Sequence, residues 1–128
     1  MALPRCHRLK GRRIFDKLYR CGRRHHGPSL VLRHLEAIPA LLPPDQVRHP
    51  PSPWRCGVVV SSKVHKHAVQ RNRLRRLVHN HLLRELRDCR HPQGHWLLIS
   101  FKPGSCERSP SDLLGECSQL FRQAGLQA

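Results

Sequence analysis

Acidic side chains are what this chain has least of. Eight Asp and Glu stand against 24 Lys and Arg in 128 residues, a formal charge of +16 with the 11 histidines counted as neutral. A well-mixed soluble surface keeps its net charge far lower. An ordinary self-neutralised surface is therefore excluded, and an anionic partner is implied, nucleic acid ahead of an anionic membrane. Histidines add to the charge below about pH 6.5. Closely spaced thiols are missing as well: the six cysteines, at 6, 21, 56, 89, 106 and 117, form no Cys-x-x-Cys pair, which excludes a zinc ribbon. No apolar run approaches the ~20 residues needed to span a bilayer. The opening Met1-Ala2-Leu3-Pro4-Arg5 carries no apolar segment of a secretory signal. The expectation is a cytoplasmic chain with reduced thiols, in which Cys56 and Cys117, lying on apolar patterns, are small core residues.

What is present is enough for one domain with a real core, spanning residues 1–128. Residues 1–11 are basic and irregular. Arg12 to Arg20 reads as a short helix, since Ile14, Phe15, Leu18 and Tyr19 recur on one face. Its N-cap is weak, because Lys10 and Gly11 offer no side-chain acceptor, and Gly22 is its stop. Ser29 to Leu35 reads as a strand, and the Gly22–Ser29 region has room for part of another. Six prolines between residues 36 and 53 forbid a central strand or a helix there and predict a long exposed connection.

Trp54 to Ser61 has a continuous apolar centre, the pattern of a strand buried on both faces. A basic loop from Ser62 leads to the longest helix, Ala68 to Cys89, with Leu74, Leu77, Val78 and Leu82 on its core face and Leu83 off that stripe. Pro92-Gln93-Gly94 is a turn, and His95 to Phe101 a third strand. Ser109, Pro110 and Asp112 open a last helix as cap, first-turn proline and dipole partner, with Leu113, Cys117, Leu120 and Phe121 buried and Gly125 as its end. Strands and helices in this order give a layered α/β (α+β) sandwich.

The chemistry concentrates in Arg71-Asn72-Arg73-Leu74-Arg75-Arg76, where four arginines fall within six residues. Arginine forks match phosphate geometry bidentately and never lose their charge. Arg73, Arg76 and Asn80 fall opposite the apolar stripe, with Asn72, Arg75 and His79 beside them. No acidic residue lies between Lys63 and Arg84. Self-repulsion in such a run makes sense when a polyanion covers it, and structured RNA would be gripped through phosphates and sugars. A protein nuclease is the competing reading of His65, His67, His79, His81, Glu85 and Asp88. His79 and His81, two residues apart, point to different helical faces, and His25-His26 has no clear partner.

These segments together resemble the protein subunit of bacterial ribonuclease P. Arg8-Leu9-Lys10 with Phe15, Tyr19 and Gly22 resembles the family's N-terminal signature. Gly57-Val58-Val59-Val60-Ser61-Ser62-Lys63 resembles the strand leading into its basic motif, and Ala68-Val69 with Arg71 to Leu77 its hallmark run. Trp96-Leu97-Leu98-Ile99 and Leu120-Phe121-Arg122 are similar to its last strand and helix.

The resemblance implies a two-layer sandwich of a small mixed sheet packed by helices, with a left-handed crossover. It implies a subunit that binds a catalytic RNA and the leader of precursor tRNA, while the RNA supplies the active site for 5′-leader removal. Carried over, Arg71, Asn72, Arg73, Arg75 and Arg76 contact the RNA and Lys63 and Lys66 neutralise phosphates. Phe15 and Tyr19 line the leader cleft, and Val31 and Arg33 form its floor. Magnesium serves the holoenzyme mainly through the RNA, Asn72 lying near a bound metal, and no further protein partner is required.

The chain departs from the family pattern at Lys63, Val64 and Lys66, at Arg33 where an aromatic is common, and at His79 where a basic residue is common. A small ribosomal-type RNA-binding protein is the alternative, and a nucleoid-type DNA binder a third reading.

Overall fold

The fold is assembled on the strand His95–Phe101, whose side chains alternate between two separate cores. Trp96 and Leu98 point to one; Leu97, Ile99 and Phe101 point to the other. The structure is a computed structural model that describes residues 7–38, 54–86 and 94–126. Its elements are α1 (Arg12–Cys21), β1 (Arg23–His26), β2 (Leu30–Glu36), β3 (Arg55–Val59), α2 (Ala68–Leu86), β4 (His95–Phe101), a 3-10 turn (Ser105–Glu107) and α3 (Pro110–Gln123). The prolines from 39 to 53, the end expected for α2 and the turn at Pro92 lie outside the described residues.

The sheet runs β1-β2-β4-β3. β1 and β2, and β2 and β4, pair antiparallel, while β3 and β4 are parallel. A parallel pair cannot be joined by a hairpin, and α2 makes the crossover. The result is the expected α+β fold with a small mixed sheet. Ile14 and Leu18 of α1 pack on Trp96 and Leu98. Val78, Leu82 and Leu86 of α2 and Leu113, Cys117, Leu120 and Phe121 of α3 pack on the opposite face. Each such side chain, fully buried, contributes roughly 1.5–3 kcal/mol.

Local signals correspond closely to what forms. Ser109 Oγ accepts the Asp112 N–H at 3.2 Å at the start of α3, with Pro110 in its first turn, while α1 begins at Gly11 with no side-chain cap. Gly22 N–H donates to Leu18 O at 3.0 Å and closes α1. Cys56 and Cys117 are buried, and burial is the main cause that pushes their thiols up, Cys117 to about 12. They are protonated, inert core residues. Leu83 packs at the edge of the main core despite falling off the stripe.

Two polar features were not visible in the sequence. Glu116 is buried, and its Oε2 accepts the N–H groups of Ser29 at 3.0 Å and Leu30 at 2.6 Å. It thereby ties α3 to the β1–β2 turn, where a side chain at Gly27 would come within 2.5 Å of that oxygen.

The second corrects the expectation that His25 has no clear partner. Pairing of β1 with β2 brings His25 Nε2 to 3.2 Å from His34 Nε2, the rings stacked at 5.2 Å, and His95 lies 6.1 Å from His34. His34 is buried, and that burial, followed by His25, His95 and Arg23, lowers its pKa to about 4.

The depressed value has a stability consequence. Between about pH 6.5 and 4 the unfolded chain protonates this histidine and the folded chain does not. The contribution is therefore complete above pH 6.5 and is lost as pH falls towards 4. Thermal melts from pH 7.5 to 4.5 should show falling stability, and His34→Leu should flatten part of that decline. Equal slopes for the two proteins would show that His34 does not carry it.

Candidate nucleic-acid interface

The basic run occupies the first turns of α2, and its arginines divide by direction. Arg71 turns back and donates from Nη1 to the carbonyls of His65 and Lys66, both at 2.9 Å. Arg75 donates to Asn72 Oδ1 and, from Nη2, to the Val60 carbonyl at 3.3 Å. Arg75 therefore lies towards the end of β3, and Arg71 against the loop that leads into α2. Arg73 and Arg76 are exposed on the other flank of the helix. The acceptors of Arg71 and Arg75 are carbonyl and amide oxygens, not carboxylates, so the cationic face keeps its full charge.

The loop into α2 is pinned by Val64, which is 5% exposed and belongs to the main core. Its N–H donates to Ser61 O at 3.0 Å. Lys63 and Lys66 stand exposed on either side of that anchor. His65 Nδ1 accepts the His67 N–H at 3.1 Å. His79 is half-buried, and burial, then Arg75, lowers its pKa. His81 hydrogen-bonds Ser118 Oγ at 2.8 Å on the core side.

A second feature lies between α1 and the sheet. Val31 and Arg33 of β2 share a face with Leu98 and Ser100 of β4 and Gly57 of β3, as their register requires. Phe15 reaches across that face because position 57 has no side chain: a Cβ there would fall within 2.9 Å of two atoms of the Phe15 ring. Tyr19, one turn along, is 46% exposed. The Arg33 guanidinium carbon lies 4.8 Å from the Tyr19 ring centre, and Nη1 donates to Ser100 Oγ at 3.4 Å. A guanidinium over an aromatic ring in a partly exposed setting contributes about 0.5–1 kcal/mol. Val31 is mostly buried, so of the two expected floor residues Arg33 is the more accessible.

Sequence reading missed the neighbours that strand pairing supplies. Arg24 stands opposite Arg33, His26 opposite Val31, and Ser100 opposite Val31 on the other side. The signal was weak because β1 is four polar residues with no apolar alternation.

Among the described residues, no group of three or more His, Cys, Asp or Glu is arranged to hold a metal ion. Asn72 Oδ1 accepts from Arg75, and its neighbours along α2 are Arg71 and Arg73. No helix among the described residues is long and apolar enough to cross a membrane.

A small α+β domain whose arginine run on α2 meets no carboxylate among its hydrogen-bond partners, and whose exposed Tyr19 lies under the Arg33 guanidinium, defines a class: a protein suited to lie against a polyanion. Comparison with known proteins makes the assignment particular. The Ribonuclease P family profile matches residues 3–125. The chain is 52% identical over 126 residues to the ribonuclease P protein component of Parasynechococcus marenigrum, covering 98% of each chain. It is 48% identical to that of Prochlorococcus marinus strain MIT 9303, again over 98% of each. Among solved structures, the Staphylococcus aureus RNase P protein superposes with a TM-score of 0.76 at 14% identity, covering 95% of this chain and 98% of that one. The Thermotoga maritima protein superposes at 0.70 and 19% identity, covering 91% and 96%. This chain belongs to the ribonuclease P protein family.

The contact between Gly57 and Phe15 is testable by substitution. Gly57→Val should force the Phe15 ring off the sheet and destabilise the protein by about 1–3 kcal/mol, read from the midpoint of urea unfolding. An unchanged midpoint would mean that the ring has room elsewhere.

Proposed function

We propose that this protein acts as the RNA-gripping subunit of ribonuclease P, holding the catalytic RNA and the precursor-tRNA leader while the RNA breaks the bond. As a ribonuclease P protein component it is a subunit in the processing of the 5′ leader of tRNA, and the small ribosomal-type alternative falls away. The observation that carries the finer reading is the arginine face of α2, exposed on one flank and opposed by no carboxylate among its hydrogen-bond partners. Such a face neutralises phosphates and releases counterions.

In this reading α2, with Arg71, Asn72, Arg73, Arg75 and Arg76, and the loop lysines Lys63 and Lys66 meet RNA. The cleft formed by Phe15, Tyr19, Val31 and Arg33 receives single-stranded leader. Stacking on an exposed ring tolerates any base, which suits leaders of differing sequence. Arg33 adds a cationic plane where the family commonly has an aromatic, so the floor combines phosphate attraction with a stacking surface. Three of the histidines considered for catalysis or ligation have other partners: His34 pairs with His25, His81 with Ser118, and His65 caps its own loop. Magnesium belongs to the holoenzyme through RNA phosphates. The assembly works in the cytoplasm.

Reconstitution tests this directly. The purified protein should cut precursor tRNA at physiological magnesium only when ribonuclease P RNA from the same organism is added; robust cleavage by protein alone would overturn the reading. Replacing Arg71, Arg73, Arg75 and Arg76 with Ala should weaken assembly with that RNA. It should also reduce the slope of log affinity against log salt by about one for each phosphate no longer neutralised. An unchanged slope would remove these residues from the phosphate-binding surface.

The cleft has its own readout. Tyr19→Ala should cost the reconstituted enzyme about 1–3 kcal/mol of affinity for precursor tRNA, while leaving affinity for mature tRNA and for the catalytic RNA unchanged. Equal losses for precursor and mature tRNA would place Tyr19 outside the leader path.

A further inference from the structure

The outer flank of α2 carries a feature that phosphate binding alone does not use. Between α2, the 3-10 turn and the start of α3 lies an open groove of about 680 Å³. Its floor is apolar, made by Leu74 and Leu77 of α2 and Leu113 of α3. Val69 forms one edge and is 72% exposed, an unusual position for a large aliphatic side chain. The rim is cationic: Arg73 and Arg76 from α2 face Arg108 from the segment before α3. Among the described residues, no carboxylate lines it.

The two flanks of α2 thus differ in kind. Arg71 and Arg75 are engaged with the protein's own carbonyls, whereas no described residue accepts a hydrogen bond from Arg73 or Arg76. Three arginines around an apolar floor ask for a ligand that is anionic at its edges and flat and apolar at its centre.

We propose that this groove holds one unpaired nucleotide of the RNA partner, its base against Leu74, Leu77 and Val69 and its flanking phosphates on Arg73, Arg76 and Arg108. The inference rests on the RNA-binding reading above and specifies what this flank recognises. Helical RNA does not fit, because a duplex presents phosphates and sugars outward and keeps its base faces stacked inside. A nucleotide splayed from a loop or bulge exposes its base face, which packs on aliphatic surface and guanidinium planes. Its neighbouring phosphates accept the bidentate arginine forks. An acidic amphipathic peptide is the competing occupant. The arginine run continues around the same helix to the flank that meets RNA, which makes one continuous RNA surface the better fit.

The test uses the full-length chain reconstituted with ribonuclease P RNA from the same organism. Val69→p-benzoylphenylalanine places a photo-crosslinker at the groove edge, and attachment sites are mapped by primer extension. Crosslinks should concentrate on one or two unpaired nucleotides. Val69→Ser and Arg108→Ala, both at exposed positions, should each weaken assembly about tenfold with circular dichroism and melting temperature unchanged. Arg108→Ala should also lower the salt slope by about one, whereas Val69→Ser, which trims the apolar edge without adding charge, should weaken assembly with the slope unchanged.

Crosslinks confined to paired nucleotides, or to a cellular protein when the experiment is run in cells, would overturn the proposal. So would wild-type affinity for both variants. Arg75→Ala, on the opposite flank, separates the two claims. If it weakens assembly while the groove variants are silent, the groove inference alone falls. If all three are silent, the RNA-binding reading falls with it.

Discussion

Double-sided burial of β4 is the constraint on which the remaining structure depends. With Trp96 and Leu98 directed to α1 and Leu97, Ile99 and Phe101 directed to α2 and α3, neither face of the sheet is left to solvent at its centre. The strand is paired on both edges, antiparallel to β2 and parallel to β3. The parallel pairing has a geometric consequence. The chain must leave the end of β3, pass through a crossover and return, and the crossover is the arginine helix. The residues that leave the sheet at Val59 and Val60 therefore deliver Arg71 to Arg76 beside the end of β3, where Arg75 reaches the Val60 carbonyl. The same sheet, on its other face, supports Phe15, Tyr19 and Arg33. The arginine helix and the Phe15–Tyr19–Arg33 cluster are thus carried on opposite faces of one sheet.

The charge distribution is a second constraint. Four arginines within six residues repel one another, and the free chain lowers that repulsion only partly, by turning Arg71 and Arg75 onto carbonyl oxygens. Those bonds orient the side chains without neutralising them. One of the few acidic groups is used elsewhere: Glu116 is buried, holding the backbone of the β1–β2 turn. Free energy stored in an uncovered cationic face is released when a polyanion arrives, which links the scarcity of carboxylates to the function.

Legibility in the sequence followed the range of the interactions. The α1 stripe at Ile14 and Leu18, the Ser109–Asp112 cap and the apolar centre of β4 are encoded by neighbours within a few residues, and each is visible in the linear text. The outward direction of Arg73 and Arg76 follows from helical spacing, and the family from the ordered succession of motifs. Other features were out of reach because they depend on partners far along the chain. β1 is Arg-Arg-His-His, four polar residues that become a strand only because β2 offers an edge. His25 and His34, nine positions apart in sequence, meet only through that pairing. Arg33 finds Tyr19, and Arg108 joins the groove beside Arg73, by register and packing rather than by pattern.

The sequence by itself determined that this is a small basic domain with mixed helices and strands, an arginine-studded helix and a ribonuclease P protein signature. Periodicity, capping and net charge are properties of adjacent residues, and they need no partner from elsewhere in the chain. Only the tertiary structure decided which flank of that helix is tied to the protein and which stands open, that Gly57 makes room for Phe15, and that three histidines share one patch. Those are relations between residues brought together by strand register and helix packing. Register is set by the free energy of burying both faces of one sheet, a sum over the whole chain that no local stretch of residues contains.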